Sequence, residues 1–394
     1  MIINIFSIFL ITLLVISSSF YGLIGLPFPI YDGMLLIAFF VIFAYISELY
    51  KNILHEDRYF HTFFIYTFVM SGIMAYINFA QPLGYGLRAS RILFMYSMLL
   101  VALNIMLKNL EIKKAHIFMV FLTLVIMFLN IYVYATGDTS MLVNGFGVLK
   151  RLGEIRVIIG TFTSIIFVFY FYYALKEYKW MILPLVGLLF TMIVIAKTRS
   201  VIFPIIIILL IPLLRAHKAQ VFKVWMVLGT IVVLSFIVSG YEKSILSPLI
   251  DLVNLLIDES QTTKHSNVNI RGLELAYYWN FLDIKSIILG YGMENHLFIQ
   301  QYNKHFFLED IGLFKIFYLH GIVGLFMYLG MLWKLYQVSK VSDSAVHMTG
   351  RSIVYFQILS PSSVFLYVPE YMLLVLIIYV FVKNENKKLL NYPN

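Results

Sequence analysis

The sequence predicts an all-α fold, a polytopic helical membrane protein of about twelve transmembrane helices in one integral domain spanning residues 1–394. Two observations carry that prediction. Hydrophobic residues fill 61% of 394 positions and charged residues only 12%, where soluble domains carry about a quarter charged residues. The apolar runs are also continuous, as in Val201–Leu214 and Val224–Val238, whereas an outer-membrane barrel shows short alternating segments. The absence of cysteine excludes disulfides and thiolate metal sites. The formal net charge of +9 is scattered between apolar runs, which points to membrane lipid headgroups or an anionic lipid-linked ligand and not to nucleic acid.

A hydropathy window of about 19 residues places spans near 3–20, 33–50, 59–79, 92–107, 117–136, 157–175, 180–196, 200–214, 224–240 and 312–333. The first has no basic leader and no clean small-residue cleavage site, so it is expected to stay as an uncleaved span. The last apolar stretch, Ser352–Val382, is too long for one span. Pro361 and Pro369 bracket a Ser-Ser turn in it, dividing the region into helices near 344–360 and 366–382. Between the ninth and tenth spans lies a polar segment over 241–311, the large extramembrane loop of the chain. Within it, Ser244–Asp258 has apolar residues at helical spacing, as an interfacial helix does, and Arg271–Leu282 is a second helical stretch carrying Tyr277, Tyr278 and Trp279.

Orientation follows the basic residues. With the N-terminus in the cytoplasm, 16 of the 29 basic residues fall inside, and both termini with them. The two residue types divide differently: 13 of 20 lysines lie inside, but six of nine arginines (Arg88, Arg91, Arg151, Arg156, Arg199 and Arg271) lie outside with the large loop. Outer arginines oppose the insertion bias, and guanidinium is the side chain suited to gripping phosphate or carboxylate.

Soluble-enzyme signatures are absent: no P-loop, no dinucleotide glycine fingerprint, no H-E-x-x-H and no G-x-S-x-G. The nine histidines lack metal-ligand spacing, so neither a metal nor a cofactor is expected. Three stretches stand out. Ala196-Lys197-Thr198-Arg199-Ser200 is a basic break between two spans with hardly any loop. Arg271-Gly272, with Ala276 and Trp279, is followed by Gly290-Tyr291-Gly292. Asp310-Ile311-Gly312 heads the tenth span, which continues through His320-Gly321-Ile322-Val323-Gly324.

In this order, over about residues 196–333, these stretches resemble the Wzy-type O-antigen polymerase and O-antigen ligase superfamily of bacterial inner membranes. Ligases of that superfamily carry a histidine about eleven residues before the first glycine of the G-I-x-G element. Here that position is Asp310, which favours the polymerase branch. The resemblance implies a GT-C-like multi-pass fold whose large loop is periplasmic, and a metal-independent glycosyltransferase. Its donor and acceptor would be undecaprenyl-diphosphate-linked oligosaccharide, the product O-antigen or a related surface polysaccharide, and a chain-length regulator protein a further partner. A lipid diphosphate leaving group needs fixed cations; Arg199 and Arg271, supported by Arg151 and Arg156, are the expected diphosphate-binding residues. Asp310 is the first candidate for the group that activates the acceptor hydroxyl, Glu309 the next, and His296 and Glu294 follow. The alternatives are an O-antigen ligase and a lipid-linked oligosaccharide flippase. A flippase is expected to carry ionisable residues at mid-membrane depth and similar halves.

Overall fold

A computed structural model describes residues 57–107, 112–138, 148–151, 154–157, 160–196, 199–214, 274–294, 312–360 and 365–391. The expected spans at 3–20, 33–50 and 224–240, the interfacial helix Ser244–Asp258 and most of the 241–311 loop lie outside the described residues. The rest is predominantly helical, and each of the other expected spans coincides with helix.

In chain order the main elements are α1 (Arg58–Phe79), α2 (Leu83–Met106), α3 (Ile112–Thr136), β1 (Val148–Arg151), β2 (Glu154–Val157), α4 (Thr161–Ala174), α5 (Ile182–Phe190), α6 (Arg199–Leu214), α7 (Ile284–Leu289), α8 (Leu313–Ser339), α9 (Ala345–Leu359) and α10 (Pro369–Asn391). Four stretches, Arg58–Phe79, Leu83–Ile105, Met119–Thr136 and Leu313–Ser339, are long and apolar enough to cross a bilayer. On α3 the exposed residues Ile117, Phe121, Leu124, Phe128 and Ile131 recur every three or four positions. They form one apolar stripe that water would not tolerate on a soluble protein. These features describe a membrane protein.

Several boundaries differ from the hydropathy reading, each for a local reason. Helix α2 begins at Leu83, nine residues before the expected span, so Arg88 and Arg91 sit on a helix and not in a loop. Arg88 is exposed there and Arg91 half-buried. The seventh span is composite: a 3-10 turn at Lys179–Met181, the short α5, then a π-turn at Thr191–Ile195 that ends it just before the Lys197–Arg199 break. A small antiparallel hairpin, β1 with β2, fills part of the connection between the fifth and sixth expected spans. Pro369 opens α10, where its missing N–H is no loss. Helix α10 then runs on to Asn391, so the lysine-rich tail from Lys383 begins as helix.

Helix α10 is the centre of the bundle. Every residue from Tyr371 to Val382 is at most 5% exposed, as expected of a helix apolar all round. Where the apolar run stops, four consecutive polar residues reach to four different elements. Lys383 Nζ lies 2.8 Å from Asp57 Oδ2, and Asn384 donates to the Leu107 carbonyl at 3.1 Å. Glu385 accepts from Ser344 Oγ at 3.1 Å, and Asn386 donates to the Val338 carbonyl at 2.9 Å. Successive helical residues are about 100° apart, so four in a row address the whole circumference.

This ring also sorts the helix ends. The start of α1, the ends of α2 and α8 and the start of α9 meet around Lys383–Asn386. The end of α4 lies on the same side. Lys176, just past it, is among the charges that act on Asp343, whose carboxyl is held below its usual range first by its hydrogen bond from Arg351. The loops assigned to one side by lysine counting therefore gather at one end wherever they are described.

Candidate functional site

The opposite end of the bundle holds the described parts of two motif stretches, Gly290-Tyr291-Gly292 and His320-Gly321. After a short helix at 274–279 the chain turns, and Asp283 caps α7 by accepting from the Ser286 backbone N–H at 2.8 Å. Helix α7 ends on Gly290-Tyr291-Gly292, and this stretch docks against α8. The Tyr291 N–H donates to the Tyr318 carbonyl at 2.6 Å and the Gly292 N–H to the Leu319 carbonyl at 3.1 Å. Those carbonyls are accessible because α8 breaks at Gly321, whose φ of 68° and ψ of −173° are not helical. Two glycines make the contact possible. A Cβ on Gly321 would run into the Ile288 carbonyl, and one on Gly290, at φ 94°, would run into Leu319 and His320 backbone. Both conformations belong to a region that only glycine occupies at low cost.

Helix α1 completes the junction. Asn78 Nδ2 donates to the Tyr291 carbonyl at 2.9 Å, and Gln81 Nε2 donates to the Met293 carbonyl at 3.1 Å. His320, fully buried, shares one hydrogen bond with Ser71 Oγ at 3.0 Å and another with the Tyr367 hydroxyl. The Lys315 ammonium stands 4.5 Å from the centre of the Tyr367 ring. Around these lie Tyr278, Tyr291 and Tyr318, with Tyr291 stacked on Tyr318 at 5.1 Å between ring centres. Trp279 rests against Phe314 and Phe317 with half its surface open. The result is a buried polar cluster bordered by aromatic side chains.

Of the expected site residues, Arg271, His296, Glu309 and Asp310 lie outside the described residues. Arg199 is the first residue of α6. Tyr172, near the end of α4, donates to the Leu209 carbonyl at 3.2 Å, which places α6 beside α4. The hairpin lies at the end of α4 away from Lys176, since β2 leads into the start of that helix. Its register pairs Arg151 with Glu154 and Leu149 with Arg156, which puts residues 151 and 156 on one face of the ribbon.

Glu294, two residues past the glycine turn, is the one acceptor candidate among the described residues. Its carboxyl is half-buried, and burial pushes its pKa up to about 7. The proton is bound more tightly in the folded chain than in the unfolded one. The stabilisation is therefore full below the ordinary glutamate value and is lost as pH rises to about 7. The ionised, proton-accepting form of the folded chain accumulates as pH rises through about 7. Sequence reasoning missed Ser71, Lys315, His320 and Tyr367 as members of the site. The only signal for any of them was the H-G-I-V-G string. Among the described residues no group of three His, Asp or Glu side chains is placed to hold a metal ion. No family model matches this chain, and no curated protein matches it at a significant level.

Proposed function

We propose that the chain is a glycosyltransferase that polymerises undecaprenyl-diphosphate-linked repeat units into O-antigen or a related surface polysaccharide, without a metal. It would work at the periplasmic face of a bacterial inner membrane, as a twelve-span protein with both termini in the cytoplasm and the 241–311 loop outside. The observation that carries this reading is the interlock of Gly290-Tyr291-Gly292 with the break at His320-Gly321. Two motifs of the resemblance, some thirty residues apart in sequence, form one buried junction. The resemblance assigns Arg199, the first residue of α6, and Arg151 and Arg156, on the hairpin, to the donor site.

In this mechanism Arg199 and Arg271, with Arg151 and Arg156, hold the donor diphosphate and stabilise the charge that grows as it leaves. Asp310, backed by Glu309 and His296, orients and deprotonates the acceptor sugar hydroxyl. Glu294, with a pKa near neutrality, is suited to the same proton, and it lies beside the junction. The glycosyl carbon–oxygen bond to the lipid diphosphate breaks as the bond to the acceptor oxygen forms, and lipid diphosphate departs with the negative charge.

Deletion of the gene followed by an electrophoretic glycan profile tests the reading. A single repeat unit on the core is the expected result. Free lipid-linked polymer would instead indicate the ligase, and repeat units retained inside a flippase. Arg199→Ala and Arg271→Ala are each expected to remove long chains while protein level and insertion persist; normal ladders in both would remove the diphosphate clamp. For Glu294→Gln the rate–pH profile is expected to lose a limb near pH 7, and an unchanged limb would assign that limb to another group.

A further inference from the structure

Helix α7 lies outside the expected spans, yet its outward face is apolar. Ile284 is 78% exposed and Ile288 46% exposed, four residues apart and so on one side of the helix, while Ser286 between them is buried. The short helix before it repeats the pattern: Leu275 and Trp279, again four apart, are exposed and Tyr278 is buried. Phe281 is exposed in the turn that joins the two, as are the polar residues Asn280, Asp283 and Lys285. Helix α1 gives the depth of this segment. It has 22 residues, about 33 Å of helix, close to the ~30 Å of a bilayer core. Exposed Tyr59 and Tyr76 stand near its two ends, as the aromatic belts of a span do. Asn78, two residues past Tyr76, donates to the Tyr291 carbonyl at 2.9 Å and to Ser286 Oγ at 3.4 Å. Helix α7 is thus fastened at the level where α1 leaves the hydrocarbon.

We infer that the 274–289 segment is an interfacial anchor whose partner is the lipid of the adjacent leaflet. Leu275, Trp279, Phe281, Ile284 and Ile288 enter the boundary between headgroups and acyl chains, and Lys285 stays with headgroups and water. Two observations favour lipid over a protein partner. The segment stands at interface depth, where an amphipathic ring such as that of Trp279 is best placed. It is also joined directly to two spans with exposed apolar side chains of their own, α1 through Asn78 and α8 through Trp279, which stacks on Phe314 and Phe317. Those side chains include Ile73 and Ile77 on α1 and Ile322 and Phe326 on α8. Helix α7 runs straight into Gly290-Tyr291-Gly292, so lipid that holds the helix also holds the glycine turn at headgroup height. Under the proposed reaction this is the height of a lipid-linked diphosphate; that clause rests on the reaction, and the anchor does not.

The chain has no cysteine, so a single introduced one gives a unique labelling site. Ile284→Cys, Ile288→Cys and, as the reference, Lys285→Cys would each carry a nitroxide in the full chain, in nanodiscs of phosphatidylethanolamine and phosphatidylglycerol. Thermal melting checks that each variant is folded. Power saturation then compares collisions with oxygen, which concentrates among acyl chains, and with a neutral nickel chelate, which stays in water. The logarithm of the oxygen-to-nickel ratio should be positive at 284 and 288 and negative at 285. Nickel-dominated relaxation at either isoleucine would put α7 in water and overturn the inference. Immobile labels that neither reagent reaches would also overturn it, because the face would then be covered by protein, whether another segment of this chain or a second copy. The same ratio at all three positions would overturn it as well, since no face of the helix would be selected. No substrate enters the measurement, so failure of the proposed reaction would leave these readings unchanged.

Discussion

Gly321→Ala is expected to lower chain elongation by about a hundred-fold or more, the scale on which small misplacements act, with the protein still inserted. The backbone conformation at Gly321 costs an alanine about 1–3 kcal/mol. The added methyl would also meet the Ile288 carbonyl, so α7 and its glycine turn must move away from α8. That motion would break the Tyr291 and Gly292 hydrogen bonds to Tyr318 and Leu319 and release the backbone that leads to Glu294. Gly330→Ala is the control on the same helix. Nothing lies within 4 Å of a Cβ there, and the helix gains about 1 kcal/mol of propensity. Glycan ladders from cells carrying each variant measure the effect. Equal ladders would mean that the junction is not part of the working site.

The largest effect on stability is expected at the other end. Asp57 is 1% exposed and accepts four hydrogen bonds: two from Lys383 at 2.8 and 3.0 Å, one from Tyr379 at 2.8 Å and one from Asn104 at 2.7 Å. Asp57→Ala leaves the Lys383 charge buried without its carboxylate, a change that costs about 3–5 kcal/mol. Removing both charges with Asp57→Ala and Lys383→Met should recover part of that loss, because no unpaired charge stays buried and only Tyr379 and Asn104 lose an acceptor. Melting temperatures in detergent read both variants. A single variant as stable as the parent would contradict the view of α10 as the pillar that this ring fastens.

The helices were legible because their cause is local: long apolar runs separated by charge or proline, as at Arg58–Phe79 and around Pro369. The start of α2 was not, because Gly84, Gly86, Arg88 and Ser90 lower the local hydropathy. The helix forms there anyway, through close packing on α1 where Gly86 approaches Gly72. The glycine strings were visible as motifs, but not that one docks on the other. That contact depends on carbonyls released by a helix break, and hydropathy carries no trace of a break at one residue. The pairs Ser71–His320 and Asp57–Lys383 join residues 249 and 326 positions apart. No spacing rule reaches that far. Lys315 was hidden for the opposite reason, since one lysine at a span end is ordinary until its burial and its aromatic partner are known.

Reconstitution tests whether this chain joins lipid-linked sugar repeats. Purified protein in liposomes would be given undecaprenyl-diphosphate-linked repeat units as the only substrate, with and without a metal chelator. A ladder of unit multiples, with undecaprenyl diphosphate released and chelator without effect, is the predicted result. Repeat units recovered at their original length, from protein shown to be folded and inserted, would contradict it.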